Sequence, residues 1–255
     1  MSAIENIKQF NAGRDTLLLE HKYSRMTEGL YRFFRATGHL FYDDFARHFS
    51  TTDPSRVWGC GDLHLQNFGT YKADNRLVYF DLNDFDEAML LPATWELARM
   101  LVSIHLASEE LDLEEAECQT IIRAFLSSYT QTLVGGKAID IERRTTTGML
   151  QLFMESLEKR RRKEFIKDRT VKVENERKLK VDNEKVLALT AEQKEPIIRM
   201  LLEWQQQHPN PFFKRICDVG IRVTGTASLG LERYVVLVES PNEKLYLLDL
   251  KEARH

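Results

Sequence analysis

The sequence predicts an α+β protein with a mostly helical part over residues 1–210 and a small antiparallel β-meander over residues 211–255. Hydrophobic side chains recur at three- and four-residue intervals through most of the first part, which is the pattern of amphipathic helices. β-Branched and aromatic residues dominate the second part, with turn residues between them. A chain of 255 residues with 43% hydrophobic and 29% charged residues can bury a substantial core.

The helical pattern is clearest in two stretches of the first part, residues 15–50 and residues 95–133. The glycine pair at 135–136 is predicted to end the second stretch. A later helix is predicted to begin at a capping box, Thr190–Gln193, and to end at the proline-containing segment 208–211.

Strands are predicted in two places. Residues 68–71 and 77–80 are expected to form a hairpin, because a polar turn separates two short apolar runs. Near the C-terminus, strands are predicted at residues 221–223, 234–238 and 245–250. Turn-forming residues separate these three runs, so we expect a three-stranded meander.

Residues 155–185 are dominated by Lys, Arg and Glu, including the basic run 159–163. Such a segment is usually a solvated helix face or a mobile connector. The alternative is a surface that contacts an anionic substrate or a phosphate group. The sequence leaves both interpretations open.

Charge and cysteine content limit the classes of partner. The net charge of −3 gives no electrostatic reason to expect nucleic acid or an anionic membrane. The 3 cysteines are widely spaced, which indicates neither a disulfide framework nor a zinc site. Residues 1–14 are polar and do not have the pattern of a signal peptide, and no long apolar run follows. We therefore expect a cytoplasmic protein.

Residues 59–87 carry the densest chemistry of the chain, and their order suggests phosphoryl transfer from Mg-ATP. Asp62 would orient the hydroxyl group of an acceptor, and Asn67 would bind Mg²⁺ through its amide oxygen. The predicted hairpin would return Asp81 beside this loop, where its carboxylate would supply the hard oxygen ligand that Mg²⁺ prefers.

Alternatives remain within the same segment. Asp84 could replace Asp81 as the principal metal ligand, because spacing from Asn67 favours Asp81 and acidic density favours Asp84. Gly-Asp and Asn-Asp pairs are also ordinary turn formers. His64 could hold the loop through a hydrogen bond or touch a metal or substrate. Cys60 is expected to pack as a small apolar residue rather than act as a nucleophile.

A second candidate site lies in the C-terminal meander. Its glycine-rich turn would let backbone N–H groups approach phosphates, and a lysine on the last strand could neutralise them. The predicted ATP contacts are Gly225, Ser228, Gly230 and Lys251. The alternative is an ordinary turn between strands. Together with the acidic loop, this turn would supply both halves of a Mg-ATP cleft.

Two motifs resemble those of known kinases. Gly61–Asn67 resembles the catalytic loop of aminoglycoside-phosphotransferase-like kinases, and Phe80–Leu82 resembles the metal-binding motif that follows it. The whole chain is similar to the bacterial domain-of-unknown-function family 2252 (DUF2252), which is usually placed among kinase-like folds. The matching segments are residues 31–37, 61–69, 80–87, 225–230 and 251–253. The resemblance implies a protein-kinase-like fold, with Mg²⁺ and ATP as cofactors.

The order of the motifs departs from that of ordinary kinases. The glycine turn and Lys251 follow the acidic loop, so the resemblance implies a circularly permuted arrangement. Members of the family continue beyond the position at which this sequence ends, and no candidate helix follows Lys251 to supply a glutamate partner. Three interpretations stay open: a shortened version of the family, another segment that substitutes for the helix, or an incomplete nucleotide lobe with impaired catalysis.

The leading hypothesis is a kinase-like phosphotransferase that uses Mg-ATP. A small-molecule acceptor is preferred to a protein because Gly61 stands before Asp62 in place of an arginine. The non-enzyme alternative is a pseudokinase-like module that binds nucleotide or regulates a partner without turnover. A metal-dependent phosphoesterase is disfavoured, because it would need later Gly-Asp and Gly-Asn-His motifs that the sequence lacks.

Overall fold

The structure is a computed structural model that describes residues 2–49, 53–158, 161–208 and 212–253. The chain divides into two compact units, residues 1–159 and residues 160–255. This division lies earlier in the chain than the sequence-based boundary at 210/211. The reason is that the elements between 162 and 206 pack with the C-terminal sheet.

The first unit begins with four helices: α1 Ala3–Phe10, α2 Thr16–Met26, α3 Leu30–Ala36 and α4 Gly38–His48. The helical prediction for residues 15–50 is confirmed over residues 16–48, with interruptions around Gly29 and Thr37. Asp15 caps α2 by accepting a hydrogen bond from the backbone of Leu18.

A short β-region follows these helices. Its elements are β1 Val57–Gly59, a 3₁₀ turn at Leu65–Asn67, β2 Phe68–Lys72, β3 Val78–Leu82 and β4 Met89–Leu91. The predicted hairpin is confirmed, with Phe68 opposite Leu82 across β2 and β3. Because β1 also pairs antiparallel with β4, the chain between them closes on itself. This closure brings the segment after β1 next to the segment before β4.

Three further helices complete the first unit: α5 Ala93–Glu110, α6 Glu115–Gly135 and α7 Gly148–Glu158. The first two confirm the helical prediction for residues 95–133. As predicted, α6 ends at the glycine pair, where Gly136 adopts a left-handed conformation with φ of 60°. The helix α5 packs against β1 and the 3₁₀ turn, so one face of α5 supports the acidic loop.

The second unit contains α8 Arg162–Arg169, β5 Thr170–Val173, β6 Glu176–Leu179, β7 Val186–Leu187 and α9 Ala191–Gln206. The Thr190–Gln193 capping box is present as predicted. The β5–β6 hairpin was not predicted, because it lies within the charged segment 155–185, which was interpreted as a helix face or a connector. Its turn uses Glu174 and Asn175 at positive φ instead of glycine. Part of the predicted stop segment, residues 209–211, lies outside the described residues.

The C-terminal meander is confirmed as β8 Arg215–Arg222, β9 Arg233–Glu239 and β10 Leu245–Lys251. The sheet order is β10-β9-β8-β7, and every neighbouring pair is antiparallel. The helix α9 covers one face, where Ile197 and Leu201 pack against Val236 and Val238. The other face buries Leu237 in a smaller cluster.

The α+β class with antiparallel sheets is therefore confirmed. Within the described ranges, no helix combines the length and the apolar character that crossing a lipid bilayer requires.

Candidate active site

The loop after β1 is fixed by a carboxylate from α5. Glu96 accepts hydrogen bonds from the backbone N–H groups of Cys60 and Gly61, both at 3.1 Å. Gly61 has a φ of +80°, and a Cβ atom there would collide with the backbone of Glu87. Only glycine therefore fits this position, and the direction in which Asp62 leaves the loop is set by the backbone.

Asp62 lies between a cation and an imidazole ring. Arg99 Nη2 donates a hydrogen bond to Asp62 Oδ1, and His64 Nε2 lies 3.6 Å from Asp62 Oδ2. Burial raises the pKa of Asp62, but the hydrogen bond to His64 and the charge of Arg99 outweigh this and hold the pKa below its usual range. The carboxylate is therefore ionised at neutral pH.

Arg99 is fully buried, and no role was predicted for it from the sequence. Its guanidinium lies over the rings of Phe34, Phe41 and Tyr42, with 4.3 Å from its carbon to the Phe34 centroid. In the described part of the chain, its Nε and Nη1 atoms have no hydrogen-bond partner. The aromatic faces therefore replace part of the hydration that the guanidinium loses on burial, and its Nη2 group is directed at Asp62.

Asn67 connects the two acidic segments. Its Nδ2 donates to the backbone oxygens of Asp62 at 3.1 Å and Asp84 at 3.4 Å. These two acceptors fix the orientation of the amide, because the amide oxygen would be repelled by the two carbonyl oxygens if it took the place of Nδ2. The amide oxygen therefore faces away from these two carbonyls.

The two candidate carboxylates hold different positions around Asn67. Asp81 is exposed on β3, opposite Gly69, and its side chain accepts a 2.8 Å hydrogen bond from the Leu82 backbone. Asp84 lies beyond the hairpin, and its backbone contacts the Asn67 side chain directly. Hydrogen bonds from Asn67 thus connect the loop that carries Asp62 to the segment that carries Asp84. Asp81 lies outside these contacts, on β3 of the β2–β3 hairpin.

The described residues contain no cluster of three His, Cys, Asp or Glu side chains arranged to hold a metal ion. Mg²⁺ usually keeps several waters and takes only one or two carboxylates from the protein. The amide oxygen of Asn67 with the carboxylate of Asp84 or Asp81 fits that smaller requirement.

A buried lysine faces the same loop from α2. Lys22 is fully buried, and its Nζ donates to Asn11 Oδ1 at 2.8 Å. The pKa of Lys22 is lowered to about 7, first by burial and then by the charge of Arg14, although Glu87 and Asp62 oppose this shift. The pKa of Glu87 is raised, first by burial of its carboxylate and then by the charge of Asp62. Other atoms of Glu87 are exposed to solvent.

His64 holds the loop through its ring nitrogens. The backbone N–H of Gln66 donates to His64 Nδ1 at 3.1 Å, and Arg35 Nε lies 3.1 Å from His64 Nε2. The nearby Cys60 is buried, and burial raises the pKa of its thiol to about 12. These contacts favour the loop-holding interpretation of His64 and the packing interpretation of Cys60.

The glycine-rich turn of the second unit joins β8 to β9. Gly225 and Gly230 both adopt left-handed conformations, with φ of 73° and 87°. Between them, the Ser228 hydroxyl donates to the backbone oxygen of Thr224 at 3.5 Å. Lys251 is the last residue of β10 and lies opposite Arg233 in the sheet.

Comparison with known proteins gives one family. Residues 14–255 match the family described as "Uncharacterized protein conserved in bacteria (DUF2252)". The chain belongs to the DUF2252 family. No curated protein and no solved structure matches it.

Three contacts of the Asp62 loop in this DUF2252 protein were missed from the sequence: Arg35, Glu96 and Arg99. Glu96 and Arg99 lie at the start of the stretch 95–133 that was predicted to be helical, where two charged residues interrupt an apolar pattern. That interruption could have marked them. Arg35 lies within the segment 31–37 that carried the family resemblance, but nothing in the sequence connects it to Asp62.

Proposed function

We propose that the protein is a kinase-like phosphotransferase that transfers the γ-phosphoryl group of Mg-ATP to a hydroxyl group of a small-molecule acceptor. One observation carries this function: the Asn67 amide donates hydrogen bonds both to the loop that carries the ionised carboxylate of Asp62 and to the segment that carries Asp84. An ATP-dependent reaction of this kind would take place in the cytoplasm.

Asp62 would orient the acceptor hydroxyl. Its lowered pKa makes it a weak base, which suits phosphoryl transfer, because the loose transition state needs positioning and charge neutralisation more than early proton removal. Arg99 holds one carboxylate oxygen from the buried side, and the other oxygen would face the hydroxyl. Glu96 keeps the loop backbone in place during this contact.

The amide oxygen of Asn67 and the carboxylate of Asp84 or Asp81 would hold the metal ion. When bound, Mg²⁺ neutralises charge on the phosphates and helps to align the transferring group. The backbone contact between Asn67 and Asp84 favours Asp84 as the principal ligand.

The proposed phosphate contacts are Gly225, Ser228, Gly230 and Lys251. Their support is the order of the elements in the second unit, where a glycine turn joins two antiparallel strands and a lysine lies on the next strand. Protein kinases use this same order for their glycine-rich loop and its lysine. The protein-kinase-like fold in a circularly permuted order is part of the proposal.

A second candidate is a module that binds nucleotide without turnover. The observation that favours it is the hydrogen bond between Asp62 and the buried Arg99, which commits one oxygen of the carboxylate to an internal partner. Turnover separates this candidate from the phosphotransferase.

The test combines nucleotide binding with ATP consumption. Wild-type protein is heated with millimolar ATP and Mg²⁺, and a raised unfolding midpoint is expected, because only the folded state binds the ligand. ATP consumption is then measured for wild type, Asp62→Asn and Asp74→Asn, where Asp74 is an exposed residue of the hairpin turn. We expect Asp62→Asn alone to abolish consumption.

The absence of a midpoint shift in wild type would contradict both candidates. A shift without ATP consumption would favour the binding module. Consumption that survives in Asp62→Asn would remove Asp62 from the reaction.

A further inference from the structure

Arg35 lies directly against the loop that carries Asp62. It occupies the last turn of α3, where its Nε is 3.1 Å from His64 Nε2 and its Nη1 donates to Gln66 Oε1. The same His64 nitrogen lies 3.6 Å from Asp62 Oδ2. The Nε2 atom of His64 therefore lies between the Arg35 guanidinium and the carboxylate oxygen of Asp62 that would face the acceptor.

The two partners of Arg35 leave room for a further acceptor. Its Nε–H donates to His64 Nε2 at 3.1 Å, and its Nη1 donates to the amide oxygen of Gln66. A guanidinium has five N–H donors in a planar fork, so these two bonds use only part of its capacity. Oxygens of an anionic group accept such hydrogen bonds more strongly than uncharged acceptors do, so a phosphoryl group would suit the donors that remain.

Exposure separates Arg35 from the other two cations near Asp62. Arg99 and Lys22 are fully buried and hydrogen-bonded to protein oxygens. Arg35 is partly exposed, and in the described part of the chain no carboxylate lies within ion-pair distance of it. A ligand that approaches the Asp62 loop from solvent can therefore reach Arg35 and cannot reach Arg99 or Lys22.

We propose that Arg35 binds the phosphoryl group during its transfer and stabilises the negative charge on its oxygens. This role rests on the proposed phosphotransferase function. In the step, a bond forms between the acceptor oxygen and the γ-phosphorus, and the bond from that phosphorus to the β–γ bridging oxygen breaks. The bonding electrons leave with ADP, and the hydroxyl proton passes towards Asp62. Arg35 forms no covalent bond and supplies only charge and hydrogen bonds.

The test uses a mimic of the transferring group. The unfolding midpoint of the full chain is measured with Mg-ADP and with Mg-ADP plus aluminium fluoride, which imitates a phosphoryl group in flight. The variants are Arg35→Gln and Arg35→Lys. The matched control is Arg32→Gln, an arginine of the same helix that is half exposed and pairs with Glu28.

Wild type and Arg32→Gln are expected to show a larger midpoint shift with aluminium fluoride than with Mg-ADP alone. Arg35→Gln should keep the Mg-ADP shift and lose the additional one. Its kcat for ATP consumption should fall roughly 10²- to 10³-fold with little change in KM, because a group that acts only in the transition state is removed. Arg35→Lys should lie between wild type and Arg35→Gln, since an ammonium group cannot form the same two-pronged contact.

Two outcomes have separate meanings. If wild type consumes ATP and Arg35→Gln responds equally to aluminium fluoride, the role of Arg35 is overturned and the phosphotransferase function stands. If wild type neither binds Mg-ADP nor consumes ATP, the phosphotransferase function fails, and the role of Arg35 fails with it. Should Arg35→Gln not fold, Arg35→Lys decides, and a kcat within about twofold of wild type would overturn the role.

Discussion

At the scale of single residues, the carboxylate of Asp62 is held by partners that come from distant parts of the chain. Arg99 reaches it from α5, and His64 follows it on the same loop. The lowered pKa means that this ion pair adds stability above the unfolded pKa of about 4. That stability is lost as the pH falls through the folded pKa. The same contacts therefore serve folding and the proposed chemistry.

Replacing Arg99 by methionine is expected to be costly. Methionine can fill the space among the aromatic rings, but Asp62 would keep a largely buried charge without its cationic partner. We expect the free energy of unfolding to fall by about 3 kcal/mol, measured by urea denaturation at neutral pH. Arg123→Met, at an exposed position on α6, is the control. Equal losses in the two variants would show that the ion pair contributes nothing.

Lys22 should make the free energy of unfolding depend on pH between its pKa in the folded protein and its pKa in the unfolded chain. Its pKa of about 7 in the folded protein lies below the unfolded value of about 10.4. Between these values the unfolded chain binds more protons, so the free energy of unfolding should rise with pH, by at most about 1.4 kcal/mol per unit. Below about pH 7 both states are protonated, and this contribution is constant.

Lys22→Met is expected to flatten that rise, as measured by urea denaturation between about pH 7 and about pH 10. Lys8→Met is the control, because Lys8 is exposed on α1. A slope in Lys22→Met equal to that of wild type would place the rise on other groups.

At the scale of elements, the site is built by closure of one chain segment. The pairing of β1 with β4 brings the Asp62 loop against the Asp84 segment, and the β2–β3 hairpin lies between them. The glycine at position 61 allows this approach because no side chain fits there. The loop geometry therefore depends on backbone contacts as much as on the acidic side chains.

The comparison of two glycines tests this dependence. Gly61 and Gly136 both have positive φ, but only Gly61 is crowded, and nothing lies within 4 Å of a Cβ atom at Gly136. Gly136→Ala should cost about 1–2 kcal/mol of unfolding free energy from backbone strain alone. Gly61→Ala should cost more than this and should also displace Asp62 and abolish ATP consumption. Equal costs, with ATP consumption retained in Gly61→Ala, would contradict the proposed loop geometry.

At the scale of the whole molecule, the α+β class and most helices could be predicted because hydrophobic periodicity is a local property of the chain. The β5–β6 hairpin was missed because it lies within a highly charged segment and its turn contains no glycine, although the β-branched residues of β5 favour a strand. Asp62, Asn67 and Asp81, with Asp84 as the alternative ligand, could be grouped from sequence because one short segment carries them. Arg35, Glu96 and Arg99 reach that segment only through tertiary packing, which sequence spacing does not encode.

A crystal structure of the protein with Mg²⁺ and a non-hydrolysable ATP analogue tests the central claim most directly. We expect Mg²⁺ about 2.1 Å from the amide oxygen of Asn67 and from a carboxylate oxygen of Asp84 or Asp81. The γ-phosphate should lie beside Asp62 and within reach of Arg35. A nucleotide bound away from these residues, or a metal ion held by other side chains, would contradict the account.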